Sequence, residues 1–468
     1  MDIRLLIDFG STFTKVVAID LAKEEIIGRV QTPSTVDTDV TIGLRKAIDE
    51  MRAATGINDL AEKEALACSS AAGGLRMVSI GLVPSLTVEA ATRAALGAGA
   101  KIVGCYSYKL THRELSQIKG LLPDIILLAG GTDGGDEQTI VHNARLLAGS
   151  KLAAPVVVAG NKVVQEEVIS VLETSGKYVR GADNVMPEVG ILNVEPCREL
   201  IREIFMANIT KAKGIDKAKQ IIKNVVMPTP VAVLKAARLL AEGCAGENGL
   251  GELMVVDIGG ATTNVHSVAR GEPTRGGVVV KGLPEPVVKR TVEGDLGVRY
   301  NATRLLELAG KEKLKSRLPT PVDETEMVNI VHAFHMAIGR LPKTEAEISV
   351  ETALCRVALE MAMERHVGRL ETMPLPGGEV MIQRGKDLTQ VNTVIGTGGP
   401  IIFGHKRDLV LSGVNFTEAA PFILKPKRPA FYVDERYIMY AAGLLAEEAP
   451  ATALRVMKKY LKKLGNPG

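Results

Sequence analysis

Two short segments end an apolar run on an aspartate and follow it with small residues: LLIDFGSTFTKVVAIDL at 5–21 and MVVDIGGATTNVHSVA at 254–269. Each reads as strand, Asp, turn, strand. Successive backbone N–H groups in a Gly/Ser/Thr turn form a concave site for a phosphate oxygen. The turn residues are Gly10, Ser11 and Thr12 in the first segment, and Gly259, Gly260, Ala261 and Thr262 in the second. Two such hairpins facing each other would clamp a polyphosphate. Asp8 and Asp257 would then hold Mg²⁺ through water, because Mg²⁺ sheds its hydration reluctantly and bridges phosphates. Lys15 would place a point charge on the phosphates. Taken singly, each residue has a plain structural reading: Asp8 or Asp257 as an Asx-turn, Lys15 as a solvated strand-end charge. Repetition of the whole pattern is what favours the phosphate site. A P-loop is excluded, since no G-x-x-x-x-G-K-[ST] occurs, and no G-x-G-x-x-G opens a helix.

A third glycine turn follows the run 391–395, in VIGTGGPIIF at 394–403, with Gly396, Gly398, Gly399 and Pro400. Glycine is in surplus, 47 of 468 residues, above the usual ~7%. Much of the surplus sits directly after short aliphatic runs, also at Gly130-Gly131 and Gly160, where a small residue lets backbone or ligand approach. Other composition is excluding. Aromatics are 3% with no Trp, and the net charge is +3. Neither a stacking surface nor a basic field for nucleic acid or membrane is indicated. The five cysteines are scattered without a C-x-x-C pair, which fits a reducing cytosol rather than a disulfide framework or zinc ribbon. The N-terminus has no signal-peptide layout, and no apolar run approaches the roughly 18 residues of a membrane span.

The elements that must position these turns follow from the pattern. Residues 1–65 with 196–249 form a first lobe, opened by strands and a helix over 44–54. Residues 66–195 alternate strand and helix: helices near 88–98, 113–119, 138–148 and 163–175, strands near 101–106, 124–129 and 154–159. Such alternation implies a parallel sheet, a flavodoxin-like inserted domain. Its candidate ligand loops are 130–133 and 160–162. A second lobe spans 250–450 with a helical subdomain over about 299–370, interrupted at 317–326. His332 and His335 share one helix face there, which packing explains better than metal binding. A basic amphipathic helix over 456–465 closes the chain, within a terminal segment 451–468. A solvated face is its default reading, docking on a partner the alternative.

The motifs resemble the actin, heat-shock-chaperone and sugar-kinase superfamily. DFGSTFTK (8–15) is similar to its phosphate-1 motif, TPVAVLKAARLLAEG (229–243) to connect-1, DIGGATTNVHSV (257–268) to phosphate-2, VIGTGGPIIF to the adenosine motif, and DERYIMYAAGLLAEE (434–448) to connect-2. In connect-2, Ala441, Ala442 and Gly443 would pack on the connect-1 helix. The resemblance implies an α/β, two-lobed actin-like ATPase, a duplicated ribonuclease H-like motif carrying the flavodoxin-like insertion. It implies ATP/ADP and Mg²⁺ as cofactors and assigns Gly396, Gly398, Gly399 and Pro400 to adenosine.

Within that superfamily the whole chain, including TPSTVDTDVTIGL (32–44) and LLAGGTDGGDEQTIVHNARLLA (127–148), resembles the MutL or GlmL family found beside glutamate mutase. This family is unrelated to the mismatch-repair protein of that name. Its members are taken to be ATP-dependent reactivating chaperones of adenosylcobalamin-dependent mutases, exchanging damaged cobalamin. The resemblance thus implies a cytoplasmic protein with a mutase as partner; monomer and homodimer both stay open. Direct cobalamin capture is disfavoured, because the D-x-H-x-x-G motif is absent. Met227 stands where heat-shock chaperones carry a glutamate before connect-1, and Asn264 replaces an acidic residue late in phosphate-2. A thioether cannot orient water as a carboxylate does, so slow hydrolysis, or a nucleotide switch with very little turnover, is expected. The alternative is a small-molecule kinase or hydantoinase-type ATP-dependent hydrolase of the same fold, with Asp133, Asp136 or Asp295 as the base. Glu293-Gly294-Asp295 reads equally as a cleft lining or a turn. An iron–sulfur activator of radical dehydratases is disfavoured, since Cys68, Cys105 and Cys355 lack the paired arrangement.

Overall fold

A computed structural model describes residues 2–10, 13–35, 38–60, 63–69, 75–211, 224–375 and 378–465. The chain divides into two compact units, one of Met1–Ala232 with Gly282–Pro284, the other of Val233–Lys281 with Glu285–Gly468.

The first unit opens with β1 (Ile3–Phe9), β2 (Phe13–Asp20) and β3 (Glu25–Pro33), an antiparallel meander, followed by α1 (Val40–Thr55) and β4 (Glu64–Ser69). Asp39 caps α1 by accepting from the Thr41 N–H, and Gly56 at φ 71° ends it. A second set follows: β5 (Arg76–Gly81), α2 (Glu89–Gly97), β6 (Lys101–Ser107), α3 (His112–Gly120), β7 (Ile125–Leu128), α4 (Gln138–Ala148), β8 (Val156–Val158), α5 (Gln165–Thr174) and β9 (Val179–Gly181). Then α6 (Glu195–Lys211) leads to β10 (Asn224–Pro228) and α7 (Thr229–Glu242), which continues into the second unit.

Strand order separates the two sets. One sheet runs β10-β4-β1-β2-β3, with β4 and β10 parallel to β1. The other runs β6-β5-β7-β8-β9, parallel throughout, the flavodoxin-like order. Its central strands β7 and β8 are continuous apolar runs because both their faces are covered. Ile125 and Leu127 enter one core with Ala90, Ala91 and Ala94, while Ile126 and Leu128 enter a second with Val156 and Val158. Residues 64–69, divided at 66 by the sequence reading, belong wholly to the first sheet, since Leu66 and Ala67 pair with Leu6 and Ile7. The parallel insertion therefore starts at β5. Leu283, 6% exposed, joins the core of this unit, and Arg93 donates to the Pro284 carbonyl.

The second unit begins with the two-residue pair β11 (Gly243–Cys244) and β12 (Glu247–Asn248). There follow β13 (Leu253–Ile258), β14 (Thr263–Val268), β15 (Val278–Val280), β16 (Val288–Glu293), α8 (Ala302–Ala309), α9 (Lys311–Lys315), α10 (Glu324–Met336) and α11 (Glu345–His366). Next come β17 (Arg369–Leu375), β18 (Gly378–Arg384), β19 (Thr393–Thr397), α12 (Gly399–Ile402), α13 (Arg407–Leu411), β20 (Ala430–Asp434), α14 (Met439–Leu445), α15 (Pro450–Tyr460) and β21 (Leu461–Lys463). The main sheet runs β16-β14-β13-β19-β20-β21, and β15-β18-β17 form a smaller one. Up to β20 the main sheet repeats the first: an antiparallel meander, then two strands parallel to the first strand. This third-second-first-fourth-fifth order is the ribonuclease H-like topology, present twice.

Two expectations shift in this unit. The tail expected as a helix over 456–465 leaves the helix at Tyr460, and β21 pairs antiparallel with β20 while Leu464 packs on the core. The edge of β20 needs a partner, and that need outweighs helical patterning. His332 is exposed and His335 half-buried, because Val331 and Phe334 are the core residues of α10. No metal-suited group of His, Cys, Asp and Glu occurs among the described residues, nor does any helix there have the length and apolarity to cross a membrane.

Candidate functional site

The hairpin of β1 and β2 sets Asp8 opposite Lys15, and β4 places Cys68 on the other flank of Asp8. Asp8 is 1% exposed. Its Oδ2 accepts from Lys15 Nζ at 2.9 Å, and its Oδ1 accepts from the Thr229 hydroxyl at 2.6 Å and from Cys68 Sγ at 3.7 Å. Burial and the facing Asp8 carboxylate push the Cys68 thiol well above its ordinary pKa. It therefore stays protonated, a donor rather than a nucleophile. Gly10 closes the turn: its N–H donates to the Phe13 carbonyl at 3.0 Å, and its own carbonyl accepts from the Ser34 hydroxyl. A Cβ at Gly10 would lie 2.6 Å from Phe13 O, so the turn requires glycine. Ser11 and Thr12 lie outside the described residues.

The hairpin of β13 and β14 has the same construction. Asp257 faces Asn264, whose amide donates to Oδ2 at 3.4 Å, and the Gly259 N–H donates to the Thr262 carbonyl at 2.8 Å. Gly259, Gly260, Ala261 and Thr262 are all half-exposed. Among the described residues, the N–H groups of Gly260, Ala261 and Thr262 take no backbone partner. These are the donors an anion would meet. The 294–301 segment braces the turn from behind. Val298 N–H donates to Gly259 O, Arg299 and Tyr300 N–H to Gly260 O, the Asn301 amide to Ala261 O, and the Thr263 hydroxyl to Leu296 O. Arg299 is itself fixed by an ion pair with Glu351 and lies over Phe334. Sequence reasoning left Arg299 and Asn301 unremarked, because their task is backbone bracing and their types carry no motif.

In the turn that resembles the adenosine motif the glycines have separate tasks. A Cβ at Gly396 would meet Ile401 and Leu411 at 2.9 Å, so this glycine serves packing. Gly398, at φ +93°, would bring a Cβ to 2.2 Å from Ile258 O and 2.7 Å from Asp257 Oδ1. The structure thus sets this turn directly against β13. Gly399 opens onto free space, and Pro400 lines a small cleft with Glu351, Thr352, Cys355, His405 and Arg407. The Thr397 hydroxyl donates to Asp434, whose carboxylate accepts the N–H groups of Ile438 and Met439 at the start of α14. Lys235 of α7 pairs with Glu447 just past α14, tying the connect-1 and connect-2 segments together.

The carboxylates weighed as kinase bases are engaged. Arg365 binds Asp295 in bidentate fashion at 2.8 and 2.9 Å and holds it below the usual carboxylate range. Burial pushes Asp133 up, but donation from Asn184 and the Lys162 N–H outweighs this and leaves it low. Asp136 accepts the Thr139 N–H at the start of α4. Glu293 shares Arg365 with Asp295, so Glu293-Gly294-Asp295 acts as a braced turn.

A duplicated ribonuclease H-like sheet, each copy closed by a glycine hairpin beside an aspartate, defines the fold class of the actin-like ATPases and sugar kinases. The chain belongs to the MutL family. The family model "MutL protein" matches residues 4–461. "Protein MutL" of Clostridium tetanomorphum is 50% identical over 464 residues, covering 99% of this chain and all of that one. Solved structures similar to this chain include a glycerol dehydratase reactivase (12% identity, 95% of this chain and 99% of that one, TM-score 0.32). Another is Plasmodium falciparum glycerol kinase with ADP (10% identity, 100% and 94%, TM-score 0.37).

Proposed function

We propose that this chain is an ATP-binding reactivating chaperone of an adenosylcobalamin-dependent mutase, acting in the cytoplasm to exchange damaged cobalamin. The observation that supports nucleotide binding is the repeated hairpin: Gly10 with Asp8 and Lys15 in one unit, Gly259 with Asp257 and three available amides in the other. The mutase as client rests on membership of the MutL family.

The two aspartates offer different things to Mg²⁺. Asp257, half-exposed and facing the amide of Asn264, suits a water-mediated contact to the ion accompanying ATP. Asp8 is buried with both oxygens engaged, so its contribution is to aim the Lys15 ammonium and to hold Thr229 at the start of α7. The ion would supply charge neutralisation on the phosphates. Gly399 and Pro400, beside the cleft, receive the adenosine.

The test is a pull-down of cobalamin-dependent mutases by the purified chain with ATP, with ADP and without nucleotide. Binding that changes with the nucleotide is expected. Failure to bind any mutase in all three conditions, with phosphorylation of a small metabolite instead, would establish the kinase alternative.

A further inference from the structure

Edge strands expose unpaired N–H and C=O groups and are normally blunted by charge, proline or a bulge. Nearly every sheet edge of this chain follows that rule. β3 carries Arg29 and β9 Arg180; β10 ends on Pro228 with a register shift before Met227; β6 has Lys101 and a shift beyond it. β16 contains Lys289 and Arg290, β17 contains Arg369 and Pro374, and β21 contains Lys462 and Lys463. Among the described edge strands of three residues or more, β15 alone has no charge, proline or bulge within the strand, only its short length. It is Val278-Val279-Val280, with Val279 54% and Val280 53% exposed.

Its open groups follow from the register. β15 pairs with β18 on one side only, in parallel, with Val280 opposite Gln383. The Lys281 N–H donates to Gln383 O at 2.9 Å. Residues 279 and 281 therefore face β18, and the N–H and C=O of Val278 and Val280 turn outward. Exposed Arg275 and Lys281 stand before and after the strand.

We propose that this edge receives, by strand addition, an extended apolar segment of a partner protein bounded by acidic residues. Charge selects that occupant over a second copy of the chain. Antiparallel self-pairing about Val279 would set Lys281 opposite Gly277 of the second copy and diagonal to its Arg275, so basic residues would crowd both ends. An acidic-ended segment meets those same residues favourably, and its apolar positions cover Val279 on one face and Val280 on the other. This docking edge is independent of the nucleotide reading.

The probe is a dye-labelled heptapeptide, Glu-Val-Val-Thr-Val-Val-Glu, and its twin with lysine ends, titrated by anisotropy against the full chain. Val280→Pro removes an outward N–H and leaves the bond from Lys281 to β18; Val280→Lys reads the same edge if the proline variant misfolds. The acidic-ended peptide is expected to bind wild type, with at least about tenfold weaker binding for the lysine-ended twin and for either variant. Nucleotide affinity and circular dichroism should stay unchanged in the variants. Absence of binding, equal binding of both peptides, or binding insensitive to both variants would overturn the proposal. So would a sedimenting dimer that Val280→Pro dissolves.

Discussion

Gly398 and Gly399 are neighbours in sequence, yet they answer to different constraints. At Gly398 a side chain would meet the Ile258 carbonyl and the Asp257 carboxylate with φ at +93°, a conformation costing roughly 1–3 kcal/mol in strain for an ordinary residue before any clash. Gly398→Ala should therefore lower the denaturant midpoint and abolish nucleotide binding together. Gly399→Ala faces open space and should leave stability within about 0.5 kcal/mol while weakening ATP titrated by a fluorescent analogue. Equal stability of the two variants would contradict this division of labour. Met227 is 4% exposed and sits in register with Cys68, which in turn pairs with Asp8 on β1. Since its thioether moves no proton, Met227→Leu should leave steady-state phosphate release unchanged. Release by wild type should stay slow, below about 1 s⁻¹; a faster rate would mean another group orders the water.

At the level of elements, β14 and α11 bury two histidines. Burial, reinforced by nearby Arg290, lowers His266 to about 3, and burial with the charges of Lys289 and Lys386 lowers His366 well below its ordinary value. His366 is held between the hydroxyls of Thr291 and Ser267. Both rings are neutral when folded, so the unfolded chain binds more protons below about pH 6.5. Stability should then fall as pH drops from about 6.5 towards 3, by up to about 1.4 kcal/mol per pH unit for each histidine. Urea midpoints between pH 7 and 4.5 measure the slope, and His266→Gln should flatten it. The elements themselves were legible to different degrees. β7 and β8 announce themselves as uninterrupted aliphatic runs, and α4 spans the expected residues because its apolar spacing has no competitor. β21 was not legible, since Leu461–Lys463 follow a good helix and only the unpaired edge of β20 makes them a strand. The glycines and aspartates of the two hairpins could be read from their repetition. Cys68, Arg299 and Asn301 could not, because each acts through a partner distant in sequence.

For the molecule as a whole, chain order and packing order differ. The first unit is not one stretch of sequence: Gly282–Pro284 belong to it, and Leu283 fills its core although the chain has by then built β13, β14 and β15 of the second unit. Leu283→Ala should cost roughly 2–5 kcal/mol, read as a lower midpoint in thermal denaturation. A midpoint unchanged from wild type would show that Leu283 contributes nothing to that core. The same placement bears on synthesis. A ribosome that has just delivered Ala232 has made nearly all of the first unit but lacks the leucine that completes its interior. At ordinary elongation rates the wait for Leu283 is roughly 3–10 seconds. Throughout that interval the nascent unit stands with an apolar socket open to water, so its birth inside the cell includes a period of exposure to aggregation that the finished chain does not have.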